Sequence, residues 1–271
     1  MHFLFNGGKI KQKSKGLVSE KMETRNRVGF LDELRGFAII CMVIYHLMHN
    51  LKFIFGIDIP VFFEDWFYVI RDIFAGTFIC ISGIVCNYSR SNLRRGVQCF
   101  FIGMIFTFVT AFVIKGSPDS FGILHFLGIS MMIYGLGEKF FAKIPPFIGI
   151  ALSVVLFIMS FNVKYGFLGI GDLFKVKLPE FLYSTSVLFP LGFPDNNFSS
   201  LDYFPLLPWL FLFFAGAFYG VYVKERRAPK FFYKTHIPFF AAAGRYSLWI
   251  YVLHQPIMYT TLCLIFGRSI F

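Results

Sequence analysis

Long apolar runs separated by short polar stretches make up most of this chain. A helix needs about 20 predominantly apolar residues to cross a hydrocarbon layer of about 30 Å. The runs therefore predict an all-α integral membrane protein that folds as a bundle of about seven transmembrane helices. The predicted spans cover residues 37–55, 66–88, 97–114, 121–136, 145–161, 204–223 and 246–266.

The composition agrees with this interpretation. The chain has 271 residues, of which 56% are hydrophobic and 15% are charged, whereas a soluble domain carries about 25% charged residues. One transmembrane domain, residues 28–271, accounts for all the spans. Residues 1–27 are polar and rich in lysine and lack the apolar core of a signal peptide. We expect them to form a basic segment on the cytoplasmic surface of the membrane.

Basic residues are concentrated in alternate loops, which predicts the orientation of the protein. Residues 1–36, 90–95, 138–143 and 224–236 together hold 18 of the 26 lysines and arginines, and loops of this kind face the cytoplasm. In the cell membrane, the amino terminus is then cytoplasmic and the carboxyl terminus extracytoplasmic. The net charge of +11 would also suit nucleic acid, but orientation explains it better, so we expect membrane lipids as partners and no nucleic acid.

The predicted outer connection between residues 162 and 203 is long and apolar. Its central part, residues 178–193, is interrupted by Pro179, Pro190 and Gly192. It is too broken for a span and too apolar for a free loop. Irregular backbone at membrane depth must be sheltered by protein or line a wet cavity. We therefore expect a partly buried outer loop that caps a pocket open to the outside.

The five cysteines all fall within apolar segments, and no two of them form a CxxC pair. Buried cysteine behaves as a small hydrophobic residue. The spacing therefore predicts neither a disulfide framework nor a metal site.

Two histidines lie deep within predicted spans. At about 1.5 Å per residue, His46 is about 14 Å from the start of the first span and His254 about 12 Å from the start of the last one. An ionisable side chain at such depth is costly and indicates a functional site. The alternative is that a neighbouring helix satisfies each histidine, which then serves only the fold.

The remaining polar candidates are sorted by depth. Asp72, about 9 Å inside the second span, could orient a buried imidazole and keep it basic, or a hydroxyl could hold it while Arg71 reaches outward. His125 and Asp202 lie on the same outer side. Arginines at the cytoplasmic ends could bind phosphates bidentately or could only mark orientation. These arginines are Arg35, Arg90, Arg94, Arg95 and Arg245.

Seven short motifs occur in order along the chain. They are Leu31-Asp32-x-Leu34-Arg35-Gly36, His46, Ser82-Gly83, Gly122-x-Leu124-His125-x-x-Gly128, Leu188-Phe189-Pro190-Leu191-Gly192-Phe193, Asp202-Tyr203-Phe204-Pro205-Leu206-Leu207-Pro208-Trp209, and Ser247-Leu248-x-Ile250-Tyr251-x-Leu253-His254-Gln255-Pro256. Each motif is weak alone, but seven in this order are specific. The chain resembles the heparan-α-glucosaminide N-acetyltransferase catalytic-domain family, a group of integral membrane acyltransferases found in bacteria.

The resemblance implies that an acetyl group from cytoplasmic acetyl-CoA passes to a sugar amine or hydroxyl on the far side of the membrane. His46 would then be the general base, oriented by Asp72 or a neighbour. His254 would polarise the thioester carbonyl or support the fold. The five arginines above would hold the nucleotide phosphates of acyl-CoA. An outer pocket for the glycan or amino-sugar acceptor would be shaped by His125, Asp202 and Trp209.

A second functional class uses the same features. A non-enzymatic carrier of a small anion or lipid-linked sugar could use the buried histidines as a proton relay. The two classes differ at the donor, because an acyltransferase needs a cytoplasmic nucleotide cleft and a carrier needs alternating access. Neither class fixes the oligomeric state, so a homo-oligomer is left open.

Overall fold

The protein is described by a computed structural model that covers residues 28–113, 120–171, 173–200 and 202–267. The expected basic segment at residues 1–27 and the end of the predicted span 97–114 lie outside the described residues. The helices of the described part are α1 (Gly29–His49), α2 (Asp65–Cys86), α3 (Asn92–Val113), α4 (Ile123–Leu136), α5 (Glu138–Phe141), α6 (Pro146–Ser160), α7 (Leu206–Lys224), α8 (Pro238–Arg245) and α9 (Ser247–Phe266).

Several of these helices are long and apolar enough to cross a membrane. In the described part of the chain, five segments meet both conditions, and each coincides with a predicted span. They are Gly29–Ile54, Trp66–Cys86, Pro146–Tyr165, Leu206–Lys224 and Ser247–Phe266. Helix α4 is apolar but has 14 residues, which gives a length of only about 21 Å. A helical membrane protein is therefore confirmed, while the count of seven spans stays a prediction.

Helices α1 and α8 touch through their backbones. A Cβ atom on Gly36 would lie 1.9 Å from the carbonyl oxygen of Phe240, and a Cβ atom on Gly244 would lie 1.9 Å from that of Asp32. The buried carboxylate of Glu33 accepts hydrogen bonds from backbone N–H groups just before α8, including that of Ile237 at 2.8 Å. Small residues let helix backbones approach in this way, and the contact brings the ends of α1 and α8 to one side of the bundle.

Helices α2 and α7 make a second close contact. A Cβ atom on Gly83 would lie 2.1 Å from the carbonyl oxygen of Phe213, and one on Gly216 would lie 2.1 Å from that of Cys80. The largest fully buried side chains pack around this contact and against α4, among them Phe126, Phe213 and Ile79. The core therefore forms where α2, α4 and α7 meet.

The segment between α6 and α7 adds a pair of strands to the predicted all-α bundle. It contains a two-stranded antiparallel hairpin, β1 (Phe167–Ile170) and β2 (Phe174–Lys177), followed by 3₁₀ turns at Glu180–Tyr183 and Phe189–Leu191. The Tyr203 hydroxyl donates to the carbonyl oxygen of Phe189 at 2.6 Å and fastens the last turn to the start of α7. Many apolar side chains of this segment remain half-buried or exposed, and its insertion into the membrane stays a prediction.

Candidate functional site

A pair of histidines joins α1 to α9. His46 Nδ1 lies 2.7 Å from His254 Nε2, and the two rings are nearly parallel with their centroids 5.0 Å apart. Four residues further along, the Asn50 side-chain amide donates to Gln255 Oε1 at 2.9 Å. His46 and Asn50 are four residues apart and share one face, whereas His254 and Gln255 are neighbours on α9, so two polar pairs join the end of α1 to α9.

The hydrogen bonds of the neutral pair define which nitrogen carries each proton. His254 Nδ1 lies 2.6 Å from the backbone carbonyl oxygen of Tyr251, which can only accept, so this nitrogen donates. A neutral imidazole has one N–H, and His254 Nε2 must therefore accept the hydrogen bond from His46 Nδ1. His46 Nε2 is left with the lone pair, so this atom can act as a base.

His46 lines a narrow cavity of about 60 Å³, which we call the histidine cavity. Tyr45, Arg71, Asp202 and Tyr251 also line it. The Asp202 carboxylate accepts hydrogen bonds from the Tyr251 hydroxyl at 3.1 Å and from a backbone N–H of α4 at 3.4 Å. Burial raises the pKa of the Asp202 carboxyl, against these hydrogen bonds. Polar groups thus converge in an otherwise apolar cavity.

A larger pocket, which we call the basic pocket, lies at the end of the bundle where α1 meets α8. Its volume is about 650 Å³, and three guanidinium groups line it, those of Arg35, Arg95 and Arg245. Arg35 also bonds Asp32 at 3.3 Å. Arg90 and Arg94 are exposed and do not line this pocket. The structure therefore brings three of the five predicted arginines together.

The basic pocket and the histidine cavity share three lining residues, Phe78, Ile123 and Tyr251. Arg35 is about 17 Å from His46 along α1, at about 1.5 Å per residue. A ligand whose charged end lay among the arginines could therefore extend an arm between these three side chains toward the imidazole. We call this constriction the neck.

A third pocket, which we call the charged pocket, adjoins the histidine cavity at the other end. Asp72, Lys164 and Trp209 line it, and it shares Arg71 and Asp202 with the cavity. The Arg71 guanidinium donates twice to Asp72 Oδ1, at 2.9 and 2.7 Å. Basic pocket, neck, histidine cavity and charged pocket thus follow one another through the bundle.

Two predicted contacts differ in the structure. The partner of His46 is His254 rather than Asp72, because Arg71 holds the Asp72 carboxylate. His125 is buried between α3 and α4, stacked on Phe121 with ring centroids 5.6 Å apart, and lines none of these cavities. Among the described residues, its Nε2 has no hydrogen-bond partner.

Trp209 is packed between two phenylalanine rings, those of Phe157 and Phe204, at centroid distances of 5.8 and 5.4 Å. Tyr45 and Lys164 were not among the predicted site residues. Tyr45 could have been suspected from its place beside His46, whereas Lys164 lies after α6 and nothing in its surrounding sequence marks it. Within the described residues, no cluster of three or more His, Cys, Asp or Glu side chains could hold a metal ion.

Comparison with known proteins gives one match. A family model described as heparan-alpha-glucosaminide N-acetyltransferase, catalytic, matches residues 27–256. No curated protein and no solved structure matches the chain. The matched region contains all the residues of the basic pocket, the histidine cavity and the charged pocket.

Proposed function

The chain belongs to the heparan-alpha-glucosaminide N-acetyltransferase catalytic-domain family, and we propose that it moves an acetyl or short acyl group from cytoplasmic acyl-CoA to a sugar amine or hydroxyl on the other side of the membrane. The observation that carries this proposal is a row of three pockets that share lining residues, with three arginines in the first, His46 of the His46–His254 pair in the second and Asp72 and Lys164 in the third. Donor and acceptor would enter from opposite ends.

The basic pocket suits the nucleotide part of acyl-CoA. Guanidinium groups bind phosphates through paired hydrogen bonds and stay charged at all relevant pH values. Arg35, Arg95 and Arg245 would bind the phosphates, and the neck would admit the thioester arm. Arg90 and Arg94 lie outside the pocket, and we assign them no contact with the nucleotide.

His46 would act as the general base at the thioester. Its Nε2 would take the proton from the acceptor amine or hydroxyl as the acceptor attacks the carbonyl carbon. The carbon–sulfur bond then breaks, and the leaving thiolate takes up the proton that His46 holds, which restores the neutral imidazole. Both ring nitrogens of His254 are engaged, one with Tyr251 and one with His46, so we assign His254 the positioning of His46 rather than contact with the thioester.

Asp202, Asp72 and Trp209 would bind the acceptor in the charged pocket. The hydroxyl groups of a sugar can donate hydrogen bonds to the two carboxylates. The apolar face of the sugar ring can lie against the aromatic side chain. His125 lies apart from this pocket, and we propose for it a role in the packing of α3 against α4.

Adjacent arginines provide a matched test of the donor site. Arg95→Ala should raise the Kd for acetyl-CoA on the order of tenfold and flatten its dependence on salt, because a charge-assisted contact is worth about 1.5–3 kcal/mol and is screened by ions. Arg94→Ala, one position away but outside the pocket, should change neither quantity. Titration calorimetry of the purified protein measures both.

The enzyme proposal is tested by the product. Purified protein in vesicles, given labelled acetyl-CoA and an amino sugar, should release coenzyme A and yield acetylated sugar in equal amounts. A carrier would move a solute and form no acetylated product. If Arg95→Ala and Arg94→Ala bind acetyl-CoA as the unmodified protein does, the basic pocket is not the donor site.

A further inference from the structure

A long apolar groove runs along α2 on the side that faces α7. Its volume is about 550 Å³, and its lining is almost entirely apolar. On α2 it extends from Val69 to Ile84, which is about 22 Å at 1.5 Å per residue and most of the roughly 30 Å hydrocarbon thickness of a bilayer. Gly76, Thr77 and Cys80 form its floor, and these small side chains leave a trough between the larger ones.

The groove ends at the charged pocket. Asp72, Phe161 and Trp209 line both the groove and that pocket. A molecule with its hydrocarbon chain in the groove would therefore have its polar head in the charged pocket, next to the histidine cavity. An apolar groove that served only contact with bulk lipid would have no need of this connection.

One side chain at this end, that of Lys164, suits an anionic head group. Lys164 lines the charged pocket, with its Nζ 4.8 Å from the centroid of the Tyr165 ring. Within the part of the chain that the structure describes, no carboxylate lies within ion-pair distance of this ammonium. A phosphate at the junction of groove and pocket would supply the complementary charge.

We propose that the acceptor is a lipid-linked sugar, whose hydrocarbon chain lies in the α2–α7 groove and whose phosphate lies near Lys164. The sugar then occupies the charged pocket, and the lipid anchor holds it at the depth of His46. This inference rests on the proposed acetyl transfer and specifies its acceptor. Binding the chain confines the head to one small volume, which raises its effective concentration at the site.

Two acceptors with the same sugar provide the first test. A glucosamine linked through phosphate to a polyprenyl chain and soluble glucosamine 1-phosphate are compared in reconstituted vesicles. The lipid-linked acceptor should have a kcat/KM at least about tenfold higher, because its anchor raises the effective concentration of the sugar at the site. Equal values, both with acetylated product, would overturn the inference and leave the proposed function intact. No product from either acceptor would overturn both.

Groove-filling variants provide the second test. Ile73 lines the groove and is 58% exposed, so Ile73→Trp should fill the trough without crowding the core. We expect the ratio of the two kcat/KM values to fall at least fivefold. Ile105 is 62% exposed on α3, away from the groove, and Ile105→Trp is the control that should leave the ratio unchanged. An equal loss of kcat/KM with both acceptors in Ile73→Trp would show that the groove serves the fold and does not bind the acceptor.

The phosphate contact is tested separately. Lys164→Gln should lower kcat/KM for the phosphate-linked lipid several-fold but not for a neutral lipid that carries the same sugar through an ether. If both lipids lose activity equally, the anionic linkage is not recognised at Lys164.

Should Ile73→Trp fail to insert into the membrane, Thr77→Trp replaces it in the groove-filling test, because it fills the same trough from the next turn of α2.

Discussion

At the scale of single residues, His46 has one ring nitrogen left for chemistry because the other is bonded to His254. His46→Asn keeps an amide near the position of Nδ1 but places nothing at Nε2. We expect kcat to fall on the order of 10²–10⁴, the usual effect of removing a general base. The Kd for acetyl-CoA should not change, since the arginines are about 17 Å away.

Steady-state rates and calorimetric titration of the same purified sample measure these two quantities. His49→Asn is the matched control one helical turn away, because the His49 ring lies against that of Phe53 and does not line the cavity. Transfer at nearly the full rate by His46→Asn would show that another group takes the proton. A variant that no longer binds acetyl-CoA would instead make His46 a structural residue.

His254 is expected to act through His46. His254→Leu removes the acceptor for His46 Nδ1, so the imidazole is free to turn and to change tautomer. Loss of an orienting partner lowers kcat up to about 10⁴-fold in a serine protease triad. We expect His254→Leu to lower kcat at least about tenfold. His254→Gln can still accept at Oε1 and should recover part of kcat, while the thermal midpoints of both variants stay close. If His254→Gln and His254→Leu have equal kcat values, the hydrogen bond from His46 to residue 254 does not position His46.

The two histidines show what depth alone could predict. Residue spacing placed both imidazoles well inside their spans, but their contact depends on how α1 and α9 are rotated toward one another. Adjacent residues on a helix point about 100° apart, and so the sequence did not predict that Arg71 would bond Asp72. The long Arg71 side chain bends back far enough to donate to its neighbour, which leaves His254 as the partner of His46.

At the scale of elements, the backbone contact between α1 and α8 sets the spacing of Arg35 and Arg245. Gly36→Ala would place a Cβ atom 1.9 Å from a backbone carbonyl oxygen of α8, so the helices must separate. Overpacking of this kind costs about 1–3 kcal/mol. We expect a lower thermal midpoint and at least a fivefold higher Kd for acetyl-CoA, because the basic pocket would widen.

Gly76→Ala is the control for this substitution. The atom nearest to the added Cβ would be a Leu212 methyl carbon at 3.1 Å, and this flexible side chain can move aside. The thermal midpoint and the Kd for acetyl-CoA should therefore stay close to those of the unmodified protein. Thermal unfolding and calorimetry report them. An unchanged Kd in Gly36→Ala would show that α8 does not position the donor site.

Hydropathy predicted most of the long helices but not the smaller elements. Helix α8 has eight residues, too few to be stable alone, and it depends on the backbone contact with α1 and on the hydrogen bonds that Glu33 accepts from the backbone just before α8. The hairpin of β1 and β2 lies in the segment between α6 and α7, whose prolines and glycines indicated only irregular structure. Helix α1 continues as a π-helix at Asn50–Ile54, just beyond His46, and no feature of the sequence marked this change of winding.

At the scale of the whole molecule, the three cavities are lined in succession by arginines, by His46 and by Asp72. Their connection could not be predicted, because the neck is formed by residues from three separate helices, Phe78, Ile123 and Tyr251. Their convergence depends on the packing of α2, α4 and α9, which hydropathy does not determine. His125, Arg90 and Arg94 do not line these cavities, and this too depends on helix packing that hydropathy does not determine.

The orientation of the bundle decides whether this series of cavities can work as proposed. Loops rich in lysine and arginine face the cytoplasm, where acyl-CoA is present, and the basic pocket lies at that end of α1. In a cysteine-free background, Lys139→Cys and Lys230→Cys should react with an impermeant maleimide only after the cells are permeabilised. Asn197→Cys should react in intact cells, and all three positions are exposed. Labelling of positions 139 and 230 in intact cells would place the basic pocket outside, where it could not meet acyl-CoA, and transfer across the membrane would have to be abandoned.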